Sequence, residues 1–224
     1  MQLAIFDLDN TLIAGDSDYE WGEFVVRKGL VDAQAYAAQN AAFYEDYKSG
    51  QLDIIAYQRF ALAPLVGIPV AELRALHQEF MQTVIEPLAL PKAFELIDSH
   101  RQQGHQLLVI TATNRFITEP IVRWLGIDDI IATDPAFDDQ GHVLGDVVGT
   151  PSFQEGKIQR LQQWLSFKGF KPAEIWFYSD SRNDLPLLQQ VNHPIAVDPD
   201  DVLRDYAQTQ GWPILSLRAK DKAV

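Results

Sequence analysis

The stretch AIFDLDNTL places two carboxylates, Asp7 and Asp9, two positions apart at the end of an apolar run. Stability alone gives no reason for that pair. Three further sites share the setting. Thr111 follows the apolar run HQLLVI, Lys157 opens an amphipathic stretch, and Asp180 and Asp184 stand at i, i+4 in YSDSRND, a spacing that can set both on one side of a helix start. Together they make four carboxylates, one hydroxyl and one ammonium. Hard oxygen ligands with no His or Cys nearby suit Mg2+, which takes one or two carboxylates plus phosphate oxygens. The hydroxyl, the ammonium and free N–H groups at helix starts suit a phosphoryl group. The set therefore reads as an electrostatic cradle for phosphoryl transfer. Each member has a plainer reading taken singly: Asp7 and Asp9 as a cap and a turn, Thr111 as a strand-end residue, Lys157 as a solvated lysine, Asp184 as a helix cap. Asn183 is as much a capping residue as a ligand contact. What favours the chemical reading is that all of them fall at strand ends or on the helix between them.

The elements around these residues divide the chain. QLAIFDL reads as a buried strand. From residue 15 to 86 the pattern is helical throughout: SDYE (Ser17 to Glu20) has the spacing of a capping box, DAQAYAAQNAAFYEDYKSG ends in Gly50, and two more helices cover 53–66 and 70–83. From Pro91 strands and helices alternate. The segment includes a helix interrupted by Pro120, a hairpin about Asp139–Gly141, an Asp198–Pro199 helix start and a weak last strand, WPILSL; Arg218 to Val224 read as a frayed end. Alternation implies a doubly wound, mainly parallel α/β sheet, Rossmann-like, with an inserted all-helical cap domain. The expected division is a core of residues 1–14 and 87–224 and a cap of 15–86. In such a sheet ligands bind outside the carboxyl ends of the strands, so the dispersed chemical residues should meet at one edge.

Composition narrows the classes. The 224 residues carry 18 Lys and Arg against 31 Asp and Glu, a net charge of −13. That excess repels nucleic acid, although a bound metal can reverse the local sign for a small phosphate ester. There is no cysteine, which excludes thiol catalysis and thiolate metal sites. The five histidines show no metal-ligand spacing. Walker and dinucleotide glycine loops are absent. With no signal-like start and no membrane-length apolar run, a cytoplasmic monomer or small homo-oligomer that contacts neither membrane nor nucleic acid is expected.

In its motifs the chain resembles the haloacid dehalogenase superfamily of aspartate-nucleophile phosphatases. DLDNTL resembles the first family motif, LLVITATN the second, EGKIQRL the third and SDSRND the fourth, in order and with matching spacing over nearly the whole chain. The helical insert resembles the C1 cap of the subfamily that includes phosphoserine phosphatases and some histidinol-phosphate phosphatases. The resemblance implies Asp7 as nucleophile and Asp9 as general acid and base, with Lys157 as the neutralising cation. It implies Thr111, Ala112 and Lys157 around the phosphate, and Mg2+ held by Asp7, the Asp9 backbone carbonyl and Asp180, with Asp184 on a metal-bound water or on Lys157. One departure stands out. The family often has Gly before the fourth-motif aspartate, and here the residue is Ser179; if that position requires positive φ, the loop must differ.

The cap should select the substrate. Its first turn carries Asp16, Asp18 and Glu20, and across 15–86 eleven acids stand against five bases. Acids at a helix start compensate the dipole, a reading that covers Glu20 and extends to Asp18, which with Asp16 is otherwise a candidate to meet the substrate. Asp16 lies near the position where related phosphoserine phosphatases hold a substrate ammonium. An acidic lid favours an amine-bearing ester, with histidinol phosphate ahead of phosphoserine. The carboxylate of phosphoserine would need a cation, for which Arg59 is the candidate. The rival readings are a phosphotransferase using the same intermediate and a non-catalytic metabolite-binding protein. The partner in every case is a small phosphorylated metabolite.

Overall fold

The computed structural model describes residues 1–218. Seven strands form one sheet: β1 (Leu3–Phe6), β2 (Gln106–Asn114), β3 (Asp129–Phe137), β4 (Val143–Val148), β5 (Ile175–Ser179), β6 (His193–Val197) and β7 (Ile214–Leu215). Their order is β4-β3-β2-β1-β5-β6-β7, and only the β3–β4 hairpin is antiparallel. The fold is thus α/β with a mainly parallel sheet. Strand β1 is buried along its whole length, which is why it reads as a continuous apolar run rather than an alternation. It lies between β2 and β5, with Phe6 level with Val109 on one side and Tyr178 on the other. That register brings the residues just beyond the three strands to one edge.

Between β1 and β2 the chain is helical. Helices α1 (Ser17–Arg27), α2 (Ala33–Ser49), α3 (Ile54–Leu62) and α4 (Val70–Phe80) are followed by a π turn over Met81–Ile85 and a 3-10 turn over Glu86–Leu88. Entry and exit are held side by side: Ile13 bridges Ala89 antiparallel, and the Ala14 N–H donates to the Leu88 carbonyl at 2.9 Å. Trp21 of α1 packs against Phe24, Phe80 and His77 of the insert and against Phe116 of the core. One fully buried indole thus joins the insert to the sheet layer beneath it. No single helix among the described residues is long and apolar enough to cross a membrane.

The remaining helices are α5 (Pro91–Gln102), α6 (Arg115–Trp124), α7 (Glu155–Lys168), α8 (Leu185–Leu188) and α9 (Asp201–Gln210). Four local expectations need correction. The first concerns the Ser17–Glu20 capping box: the N-cap of α1 is Asp16, whose Oδ1 accepts from Asp18 N at 3.0 Å and Tyr19 N at 2.9 Å. A carboxylate is the stronger acceptor, and the Ser17 N–H is already taken by Asp9 Oδ1 at 2.7 Å. The second concerns Pro120, which does not interrupt α6; Ile117, Thr118, Ile121 and Val122 are buried on both sides of it and carry the helix through. The third concerns Asp198–Pro199. The cap of α9 is Asp200, accepting from Leu203 N at 2.7 Å, whereas Asp198 has φ of 42° and accepts from Leu217 N at 2.9 Å. The fourth concerns the frayed end. Arg218 is tied down, donating to the Asn10 carbonyl at 2.9 Å, and 219–224 lie outside the described residues.

Candidate active site

Asp7 follows β1 directly, and its backbone N–H continues the ladder to the Tyr178 carbonyl at 2.9 Å. Asp7 as a residue is 5% exposed. Lys157 reaches it from the first turn of α7: Nζ donates to Asp7 Oδ1 at 2.8 Å and to Asp184 at 2.7–2.8 Å. The EGK sequence has a steric cause. A Cβ at Gly156 would stand 2.1 Å from the Pro151 carbonyl oxygen, so only glycine allows the α7 start to seat against that loop and point Lys157 inward.

Asp184 is a positioning residue for Lys157 in this geometry and makes no cap to α8. Its other contact is Ser179, whose Oγ donates to Asp184 Oδ2 at 2.7 Å and accepts from Ser181 N at 3.1 Å. Ser179 is not among the residues with positive φ. The position tolerates a side chain, and serine there adds a hydrogen bond that glycine could not make. Asp180 lies beside Thr11, whose Oγ1 donates to Asp180 Oδ1 and accepts from Asp180 N, both at 3.1 Å.

Asp9 is held from two directions. Its Oδ1 accepts from Ser17 N, and its Oδ2 accepts from Thr113 Oγ1 at 2.9 Å and Thr111 Oγ1 at 3.4 Å. The carboxyl therefore links the start of α1 to the end of β2. Thr111 also accepts from Thr113 N at 3.2 Å, and the neighbouring Ala112 carbonyl accepts from Thr133 at 2.8 Å and from Gln58 Nε2 at 3.3 Å. Asn183 neither caps nor faces the cavity. It receives Gln154 on Oδ1 at 3.2 Å and donates to the Tyr47 carbonyl at 3.1 Å, fastening the end of α2 to the core.

The charges do not balance. Burial, reinforced by Asp184 and Asp9, pushes the Asp7 carboxyl up to about 8 despite Lys157. Burial, Asp7 and Asp184 raise Asp180 well above the usual range. Lys157 itself is opposed by burial, yet Asp184 and Asp7 together hold it above its ordinary value. One ammonium among four carboxylates leaves a site that needs further positive charge. Asp7, Asp180 and the Asp9 carbonyl are oxygen donors of the type Mg2+ prefers, so the residues present fit that ion. Among the described residues no three or more His, Cys, Asp or Glu side chains are grouped to hold a metal ion by themselves.

Above these residues the insert encloses a cavity. Asp7, Asp9, Thr111, Ala112 and Thr113 form its floor, Asp16 and Asp18 one wall, and Tyr19, Phe43, Tyr44, Tyr47 and Tyr57 most of the rest. Among its described lining residues there is no Lys, Arg or His. Burial and Asp9 push Asp16 up to about 7, and burial, Asp16 and Asp9 push Asp18 well above the usual carboxylate range. Arg59, the expected partner for a substrate carboxylate, is not there. It is more than half exposed and makes two 3.1 Å bonds to Asp146 of β4. The residue that faces the floor is its neighbour Gln58, one step (about 100°) round α3. Arg59→Ala should accordingly leave kcat/KM for the natural ester within about twofold; a tenfold loss would return Arg59 to the binding site. Thr11, Thr113, Tyr57 and Gln58 were not singled out from the sequence, and Ser179 was noted there only for its backbone. Only Thr11, inside the DxDxT pattern, carried a signal there.

An open parallel sheet whose central strand ends in paired carboxylates, roofed by a helical insert, defines a hydrolase with its chemistry at the carboxyl edge. A family model described as haloacid dehalogenase-like hydrolase matches residues 4–189; the chain belongs to that family and is one of its phosphatases. The histidinol-phosphatase of Neisseria meningitidis serogroup C (strain 8013) is 47% identical over 219 residues, covering 96% of this chain and 99% of that protein. A phosphoserine phosphatase of Mycobacterium tuberculosis is 32% identical over 224 residues, covering 99% of this chain and 72% of that protein. Among solved structures, a Bordetella pertussis Tohama I protein of unknown function superposes with a TM-score of 0.90 at 42% identity, covering 96% of this chain and 98% of that one.

Proposed function

We propose that this phosphatase hydrolyses histidinol phosphate through an aspartyl-phosphate on Asp7, with Mg2+ as cofactor, and that residues 15–86 act as the cap that selects the substrate over a core of 1–14 and 87–224. Asp7 attacks phosphorus in line, and the bond to the ester oxygen breaks. Asp9 supplies the proton that the leaving alkoxide takes up, then removes one from the water that hydrolyses the acyl phosphate. Burial raises the Asp9 carboxyl, against the donors Ser17 and Thr113 that favour its charged form, so a proton on Asp9 is accessible before attack. Lys157 neutralises charge at Asp7 and is held in line by Asp184. The backbone and hydroxyl groups at Thr111 and Ala112 border the phosphoryl position. Mg2+, held by Asp7, Asp180 and the Asp9 carbonyl, would supply the positive charge that Lys157 alone does not.

The observation that carries the substrate reading is the cavity wall: two acids, five aromatic side chains and no cation. An ammonium finds carboxylates there and a flat ring finds aromatic faces to stack on. A substrate carboxylate finds no partner and meets like charge. The N. meningitidis relative supports the same choice. The experiment is a comparison of kcat/KM for histidinol phosphate and phosphoserine. A preference of at least about tenfold for histidinol phosphate is expected, the scale of one unpaired buried charge. Equal values, or a preference for phosphoserine, would overturn the substrate.

A further inference from the structure

Two residues that line the cavity carry a buried acceptor with no hydrogen-bond partner. Asp18, the second residue of α1, is 5% exposed and lines the cavity, and its Oδ1 has no hydrogen-bond partner. Tyr57 and Thr113 present hydroxyls beside this carboxylate, but neither bonds to Oδ1. Gln58 is fully buried in the same wall, and its Oε1 is likewise without a partner. The orientation of that amide is fixed by chemistry: a carbonyl can only accept, so the atom 3.3 Å from the Ala112 carbonyl is Nε2 and the free atom is the oxygen. Leaving one buried acceptor unpaired is unfavourable, and folded proteins rarely do so without reason. Here two belong to residues lining one cavity, next to its aromatic rings. What would satisfy both is a ligand that brings N–H donors.

We propose that Asp18 and Gln58 are the specificity-determining pair of this phosphatase, receiving the N–H donors of a nitrogen-bearing ester, with the cationic nitrogen at Asp18 and a second N–H at Gln58. The proposal rests on the amine-bearing substrate argued above and goes further by assigning nitrogen recognition to two particular side chains. Of the two cap acids expected to meet an amine it selects Asp18 over Asp16, and it gives Arg59, expected to meet a substrate carboxylate, no part. Asp16 Oδ1 is occupied by two backbone N–H groups as the cap of α1, and Arg59 is engaged with Asp146 outside the cavity. Gln58 is tethered to Ala112, the residue after Thr111, so the subsite stands at a fixed distance from the phosphoryl position. The pair therefore measures how far the nitrogen lies from the phosphate as well as whether it is present.

The test compares wild type, Asp18→Asn and Gln58→Met, each with histidinol phosphate and with p-nitrophenyl phosphate, which has no N–H. The quantity read is the ratio of the two kcat/KM values. Asp18→Asn should lower that ratio about ten- to a hundredfold, the loss of one charge-assisted hydrogen bond, and Gln58→Met should lower it about three- to tenfold. Histidinol, the product alcohol, should raise the Tm of wild type and raise that of Asp18→Asn far less. Because nothing in the ligand-free fold bonds Asp18 Oδ1, the ligand-free Asp18→Asn protein should be at least as heat-stable as wild type, whereas a purely structural aspartate would lower Tm when lost. If Asp18→Asn does not fold, Gln58→Met and Asp18→Ser read the same ratio. Should wild type show no preference for histidinol phosphate, the substrate reading falls and takes this proposal with it. Should wild type prefer it and both variants keep that preference, the substrate stands and the assignment to Asp18 and Gln58 is overturned.

Discussion

Asp7→Asn is expected to lower turnover by more than about a thousandfold while leaving the folded state as stable as before. On the proposed covalent route the substitution removes the attacking oxygen without changing volume, and an amide cannot form the acyl phosphate. The fold should tolerate it for a reason specific to this site. With no cation bound, burial and the neighbouring acids raise Asp7 to about 8, so near neutral pH its side chain is largely protonated and an amide resembles it. Lys157 keeps its second carboxylate, Asp184, at 2.7–2.8 Å, and is not left as an unpaired buried charge, the situation that makes breaking such pairs costly. Acid-quenched single turnovers and a thermal melt check the two halves. Residual activity above about a hundredth of wild type would mean that water attacks phosphorus directly.

The second large effect is expected on removing divalent cations. A chelator should reduce activity at least about a hundredfold, Mg2+ should restore it, and Ca2+ should inhibit. Calcium accepts more oxygen ligands and can engage both oxygens of Asp7, leaving neither to attack. A readout independent of activity follows from the charge imbalance. A carboxyl whose folded value is raised from 3.8 to about 8 holds its proton in the folded state where the unfolded chain has lost it. The unfolded state then binds fewer protons, so the Asp7 contribution to stability falls as pH rises from about 4 towards 8. The Tm of the chelated protein should decline across that window, and Mg2+ should flatten the decline by stabilising the ionised form. Full activity in chelator, with a pH–Tm curve indifferent to Mg2+, would remove the metal from Asp180 and Asp7.

What the sequence determined by itself was the sheet and the residues at its edge. Asp7, Thr111 and Asp180 could be read together because a parallel α/β sheet has one carboxyl edge, and residues near the end of a buried strand or just after it lie there. That they meet at neighbouring strands β1, β2 and β5 rests on a strand order and register that the structure supplies; alternation of apolar runs and helices gives only the shared edge. Lys157 came with them because the first turn of the helix before β5 faces the same edge. The inside of the cap was decided by tertiary structure alone. Helical periodicity says which residues share a face but not which way that face turns in an inserted bundle whose pattern is weak; α2 shows little amphipathic contrast along its seventeen residues. Arg59 and Gln58 are consecutive, and a rotation of α3 by one position would exchange them. The packing of α3 on the β3–β4 hairpin sets that rotation, sending Arg59 to Asp146 and Gln58 to Ala112. The cap of α1 shifted from Ser17 to Asp16 for a similar reason: Asp9, eight residues back in sequence but adjacent in space, takes the Ser17 N–H first. Local sequence ranks the candidates for each role, and contacts across long sequence separations choose among them, because hydrogen-bond partners compete in space and not along the chain.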